Sequence, residues 1–137
     1  MEKTQQRNLV LILARELASN SATAMFVVDP EGTLIFFNEP AEHVLGKSFA
    51  ETGPLSPTEW GRMFAPVDED GKPIPLDLLP LTKTMRDLEP GHMEFKITGL
   101  DEVERKIAVT AFPLFARANE FVGAVAIFWE PRSNGSD

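Results

Sequence analysis

The chain has 137 residues, a formal net charge of −8 and no cysteine, and its 43% hydrophobic and 25% charged content is ordinary for a soluble globular domain. That length supports one hydrophobic core and not two. The 13 Lys and Arg are scattered, which argues against the concentrated basic face that nucleic acid or an anionic membrane surface would require. The missing thiols exclude a disulfide framework, a thiolate metal site and thiol chemistry.

Residues 1–19 are expected to form an amphipathic helix, with Val10, Leu13 and Leu17 on one stripe and Leu9 and Ile12 alongside. Two compatible roles fit it: packing on the chain's own sheet, and pairing with the same helix of a second copy. The apolar patch from Leu9 to Ala14 is closed by Arg15 and Glu16, unlike a secretory leader, and no apolar run approaches the roughly 20 residues of a membrane span. A cytoplasmic protein is expected, with no membrane partner.

Two apolar runs, 25–28 and 33–37, flank Asp29-Pro30-Glu31-Gly32. Pro30 presets its φ, Asp29 can accept from the backbone two residues on, and Gly32 takes a conformation that side chains resist, so the pattern predicts a hairpin. Asn38 then caps a short helix ending at Gly46, with Pro40 in its first turn. Residues 48–52 suit one helical turn, and Ser56-Pro57-Thr58-Glu59 reads as a second capped helix start before Trp60 and Phe64. Asp68 to Pro73 is an acidic turn. Asp77 is expected to cap a helix running to Leu88, with Leu78, Leu81, Met85 and Leu88 along one face.

The last third is β. Met93, Phe95 and Ile97 alternate with Glu94, Lys96 and Thr98, which fixes an inward face. Residues 104–115 form a long strand with Arg105, Ile107, Val109 and Ala111 on one side. The strand 121–130 is apolar on both faces, with Gly123, Val125, Ile127 and Trp129 on one and Val122, Ala124, Ala126 and Phe128 on the other. An antiparallel sheet normally wets one face, so the first helix or a second copy must cover the other. The expected fold is α+β, a five-stranded antiparallel sheet with helices on one face and the N-terminal helix. Residues 20–131 are the domain, and 132–137 are a polar, frayed tail.

Strand, Asp, turn Gly, second strand, Asn, and a short helix with Ala ending in Leu-Gly, in that order over residues 24–46, resemble the opening of a PAS domain. Residues 67–88 look like that family's linker and long helix, and 91–130 like its three final strands. The resemblance implies first and last strands paired at the sheet centre, and a sensory or interaction module able to hold a small molecule between sheet and helices. The family's flavin photoadduct and cysteine-linked chromophores are excluded here by the absence of cysteine. Haem is disfavoured, because residues 77–88 contain no histidine; His92 lies just beyond them. Noncovalent flavin is open by residue type. Pro131 departs from the family's usual exit into a signalling helix.

If that fold holds, Phe26, Val28, Phe36, Met63, Phe64, Leu78, Met85, Met93, Phe95, Ile107, Val109 and Ile127 face the space between helices and sheet. Such a lining suits a fatty acyl chain or another apolar ligand, or simply fills a closed core. Leu9, Val10, Ile12, Leu13 and Leu17, with Val122, Ala124, Ala126 and Phe128, are the candidate homodimer surface. Asp29, Gly32, Asn38 and Gly46 are read as structural. Trp60 and Trp129 are core or interface anchors first. His43 and His92 are weak candidates, read first as surface or rim side chains, and Asp68, Glu69 and Asp70 lack an ordered array of oxygen ligands, so catalysis and metal binding are not expected. The function expected is a regulatory module acting on a protein effector, with a ligand-free assembly module as the alternative.

Overall fold

The structure, a computed structural model, describes residues 2–63, 65–98, 102–117 and 119–131, with the backbone alone for residues 2–8. The tail 132–137, the turn residues 99–101 and Phe64 therefore lie outside the described residues. Helix α1 (Glu2–Ser19) leads into strands β1 (Ala24–Val28) and β2 (Leu34–Phe37). Three short helices follow, α2 (Glu39–Leu45), α3 (Phe49–Thr52) and α4 (Pro57–Met63), then α5 (Pro80–Asp87) and strands β3 (Gly91–Thr98), β4 (Glu104–Phe115) and β5 (Phe121–Trp129). The sheet order is β2-β1-β5-β4-β3, so the first and last strands lie adjacent as the family resemblance implied. Helices α2 to α5 belong to one face and α1 to the other.

Local chemistry sets the early part. Asp29 Oδ1 accepts from the N–H groups of Glu31 (2.9 Å) and Thr33 (3.0 Å), and Gly32 takes φ 89°. The same turn recurs at Asp68, whose Oδ1 accepts from Asp70 and Lys72 at 2.9 Å each. Asn38 caps α2 by accepting from Ala41 N–H (3.1 Å), and Gly46 ends it in the left-handed region. Ser48 with Glu51, and Ser56 with Glu59, form reciprocal capping boxes at α3 and α4.

Three expectations are corrected. Asp77 does not cap the long helix: residues 76–78 form a 3-10 turn, and α5 begins at Pro80 with Leu79 extended at its N-cap. The residue before a proline is pushed out of the helical region, so the helix cannot run through Leu79. Phe36 packs with the outer cluster, because a bulge between Val27 and Val28 turns both Ile35 and Phe36 to the outer face, and its ring meets Phe49 of α3 edge-on at 5.7 Å at the sheet's rim. The faces of β5 are inverted: Ala126 pairs with Phe26 and Ile127 with Met25, and directly opposed residues share a face. Ala124, Ala126 and Phe128 thus belong to the inner core and Ile127 to the outer one, while Val122 is fully buried.

Helix α1 lies on the outer face over Met25, Val27 and Val125 through Leu11, Ala14 and Ala18. Small residues permit this closeness. A Cβ at Gly123 (φ 148°) would collide with the Val28 carbonyl and stand 3.0 Å from Leu11 Cδ2. At the rim, the Arg15 guanidinium sits 5.0 Å from the centre of the Phe36 ring. The expected stripe is turned outward instead: Leu9, Ile12, Leu13 and Leu17 are 55–64% exposed, and Val10 is half-buried.

Candidate functional site

The inner core is built around aromatic contacts. Phe26 meets Phe128 edge-on (4.9 Å between centroids) and Phe37 at 5.8 Å, and Phe49 closes on Phe37 at 5.3 Å. This cluster does not fill the space under α4 and α5, where a cavity of about 60 Å³ remains. The sheet supplies its floor with Phe26, Phe95, Ile97, Ile107, Val109, Ala126 and Phe128. Leu45 from α2, Trp60 and Gly61 from α4, Pro66, Leu79, and Pro80 and Leu81 from α5 supply the walls and roof. No polar side chain is among them apart from the Trp60 indole, whose N–H is already donated to the Gly32 carbonyl at 3.0 Å.

Of the expected pocket residues, the structure brings Phe26, Phe95, Ile107 and Val109 onto the cavity. Val28 lies in the same core away from it, and Met63, Met85 and Met93 pack against that core without lining the space. Leu78 is 47% exposed in the 3-10 turn, and Phe36 and Ile127 are on the opposite face. Two residues assigned to the dimer surface, Ala126 and Phe128, are cavity floor instead. Leu45, Leu79, Leu81 and Ile97 were missed. Ile97 had a signal, since it continues the alternation of Met93 and Phe95.

Polar groups near the site serve architecture. Asn38 is 1% exposed and its carboxamide makes four hydrogen bonds: besides capping Ala41 it accepts from Met25 N–H (3.0 Å) and donates to the Ala18 and Thr23 carbonyls (2.8 Å each). It therefore ties the end of α1, the start of β1 and the start of α2 together. The buried Thr84 hydroxyl of α5 donates to the Ala111 carbonyl of β4 at 3.3 Å. Arg105 joins the last turn of α2, donating to the Val44 carbonyl (2.9 Å), to Glu130 at the exit of β5 (3.7 Å). The Ser56 backbone N–H, then its hydroxyl, hold the Glu59 carboxyl below the usual range; slight desolvation opposes this, and Arg62 adds a smaller pull downward. Ser48 does the same for Glu51. His92 Nδ1 lies 2.7 Å from the Thr110 hydroxyl beside Trp129, with His92 on the outer face of β3. Among the described residues no three His, Asp or Glu side chains converge as a metal site, and no helix is long and apolar enough to cross a membrane.

Residues 13–80 match the family model of the PAS domain. Among solved structures the fold is similar to the PAS domain of BvgS from Bordetella pertussis, at 17% identity over 90% of this chain and 87% of that one (TM-score 0.57). It is also similar to the PAS domain of nitrogen regulation protein NR(II) from Vibrio parahaemolyticus, at 15% identity over 87% and 98% (TM-score 0.60). The LOV protein of Rhodobacter sphaeroides superposes at 12% identity over 99% and 71% (TM-score 0.69). No curated protein matches the sequence at a significant level. Such identities speak for the fold alone; the family match, joined to the sheet order and the Asp29-to-Gly46 turn and cap, settles the family. The chain belongs to the PAS domain family, whose members are in general sensory and signalling modules.

Proposed function

We propose that this PAS domain is a cytoplasmic, non-catalytic sensory module that takes a small apolar molecule into the cavity beneath α4 and α5 and signals through a protein partner. The observation that carries this reading is the cavity itself: about 60 Å³ of space left open in an otherwise tightly packed aromatic core, with an apolar lining. Such a space stays dry, because a water molecule would need two to four polar partners. A cavity of about 150 Å³ admits benzene, so the space here suits something smaller. Flavin, suggested by the LOV neighbours, does not fit: its fused rings exceed the cavity, and its polar edge would find no side-chain partner there. An acyl chain fits only if the roof lifts.

The occupant acts only by its differential affinity for two packings of the surrounding helices. The exposed stripe of Leu9, Ile12, Leu13 and Leu17 supports dimerisation through α1, continuing a helix already seated on the sheet. That stripe also favours a second reading, a ligand-free assembly module. Native mass spectrometry of freshly purified protein, followed by denaturing extraction and gas chromatography of the released fraction, separates the two. The sensory reading expects a reproducible small apolar compound; a bare dimer that releases nothing and refuses small apolar gases overturns it in favour of assembly.

A further inference from the structure

Residues 55–63 and 65–67 roof part of the cavity and are anchored at opposite edges of the sheet. At the start Leu55 exchanges two backbone hydrogen bonds with Leu34 of the edge strand β2 (2.7 and 3.1 Å). At the end Val67 exchanges two with Lys96 of the opposite edge strand β3 (2.8 and 3.0 Å). Helix α4 hangs between these anchors over the cavity, kept regular by the Ser56 and Glu59 capping box.

Trp60 is where this bridge grips the body of the domain. Its ring is 4% exposed and forms part of the roof, and its N–H reaches the Gly32 carbonyl in the β1–β2 turn. Indole is a donor only, so no other orientation of the ring in this apolar surrounding satisfies that carbonyl. The turn fits the helix closely: a Cβ at Gly32 would stand 2.9 Å from Pro57 Cγ. Beyond the helix, exposed Ala65 holds φ 44°, a conformation uncommon for a residue with a side chain. Strain of that kind at the end of a covering element marks where backbone rotation is absorbed.

We propose that residues 55–63, with 65–67, act as a strap over the cavity and that Trp60 is its latch and the residue that sets ligand size. With the indole on Gly32 the space admits only an apolar molecule smaller than benzene. With the indole released the strap pivots between its two edge anchors and larger apolar molecules enter. The inference rests on the cavity being a ligand site, and its test separates the two.

Methyl-detected NMR of the full chain, wild type and Trp60→Phe, is recorded under xenon pressure and then with benzene. Phenylalanine keeps an apolar roof and removes the donor. Xenon is expected to shift the methyls of Leu45, Leu81, Ile107 and Val109 in both proteins, and benzene to exchange into the variant at least tenfold faster. Equal benzene exchange, with xenon entering both, overturns the latch and leaves the ligand-site reading standing. Exclusion of both gases and solutes from both proteins overturns the ligand site and the latch together. Should Trp60→Phe fail to fold, the wild-type indole N–H decides. Hydrogen exchange at Trp60 at least a hundredfold slower than at exposed Trp129, yet faster than the slowest β5 amides, is the signature of a strap opening on its own. Exchange as slow as those amides means that the roof opens only on global unfolding, and overturns the proposal.

Discussion

The two faces of the sheet handle apolar surface in opposite ways. On the inner face large rings surround a space they do not fill, under a strap fixed at two edges and one indole. On the outer face Ala14, Ala18 and Gly123 let α1 approach closely through Leu11, while Leu9, Leu13 and Leu17 point to solvent. One face conceals unfilled apolar space, and the other displays leucines to solvent. Asn38 belongs to both, because its carboxamide holds the end of α1 and the start of α2 at once.

The sharpest way to break the contrast is therefore at Asn38. Asn38→Ala removes a helix cap and leaves buried partners unmatched, for an expected loss of roughly 3–5 kcal/mol in urea unfolding, with both faces affected together. A loss of only about 1 kcal/mol would reduce Asn38 to an ordinary cap. Next in size is the outer stripe. Leu13→Asp with Leu17→Asp is expected to abolish self-association in sedimentation velocity while changing unfolding stability by no more than about 0.5 kcal/mol per site. A large loss of stability would mean that these leucines are core, contrary to their exposure.

The smallest effect concerns the roof. Glu59 titrates below its ordinary value when folded, so its contribution to the α4 cap is complete above the unfolded carboxylate pKa. It is lost as pH falls through the lower folded value. Through that acidic window the Ser56 amide is expected to lose protection relative to its intrinsic exchange rate in the wild type, and to show no such loss in Glu59→Gln. An identical pH profile in the variant would assign the change elsewhere.

The sequence was most readable where one side chain serves a local backbone need. Asp29, Gly32, Asn38, Gly46 and Ser56 announce their turns and caps because the groups they satisfy lie within a few residues. Parity of β5 was not readable, since a strand apolar on both faces carries no alternation; only its pairing with β1 assigns Ala126 inward. Phe36 was misplaced for a related reason, a bulge that no turn residue signals. Asn38 was recognisable as a cap, but its bonds to Ala18 and Thr23 span 20 and 15 residues and depend on tertiary closure. The cavity depends on how Leu45, Leu79 and Leu81 meet Trp60 from three separate segments, which composition does not encode.

The central claim is that the inner face keeps unfilled space while Leu11, Ala14 and Ala18 of α1 pack closely on the outer one. A crystal structure of the wild-type protein under xenon pressure tests it most directly. The account predicts xenon density among Leu45, Trp60, Phe95 and Ile107 and none between α1 and the sheet. Xenon beneath Leu11 and Ala14, with the inner cavity collapsed and empty, would contradict it.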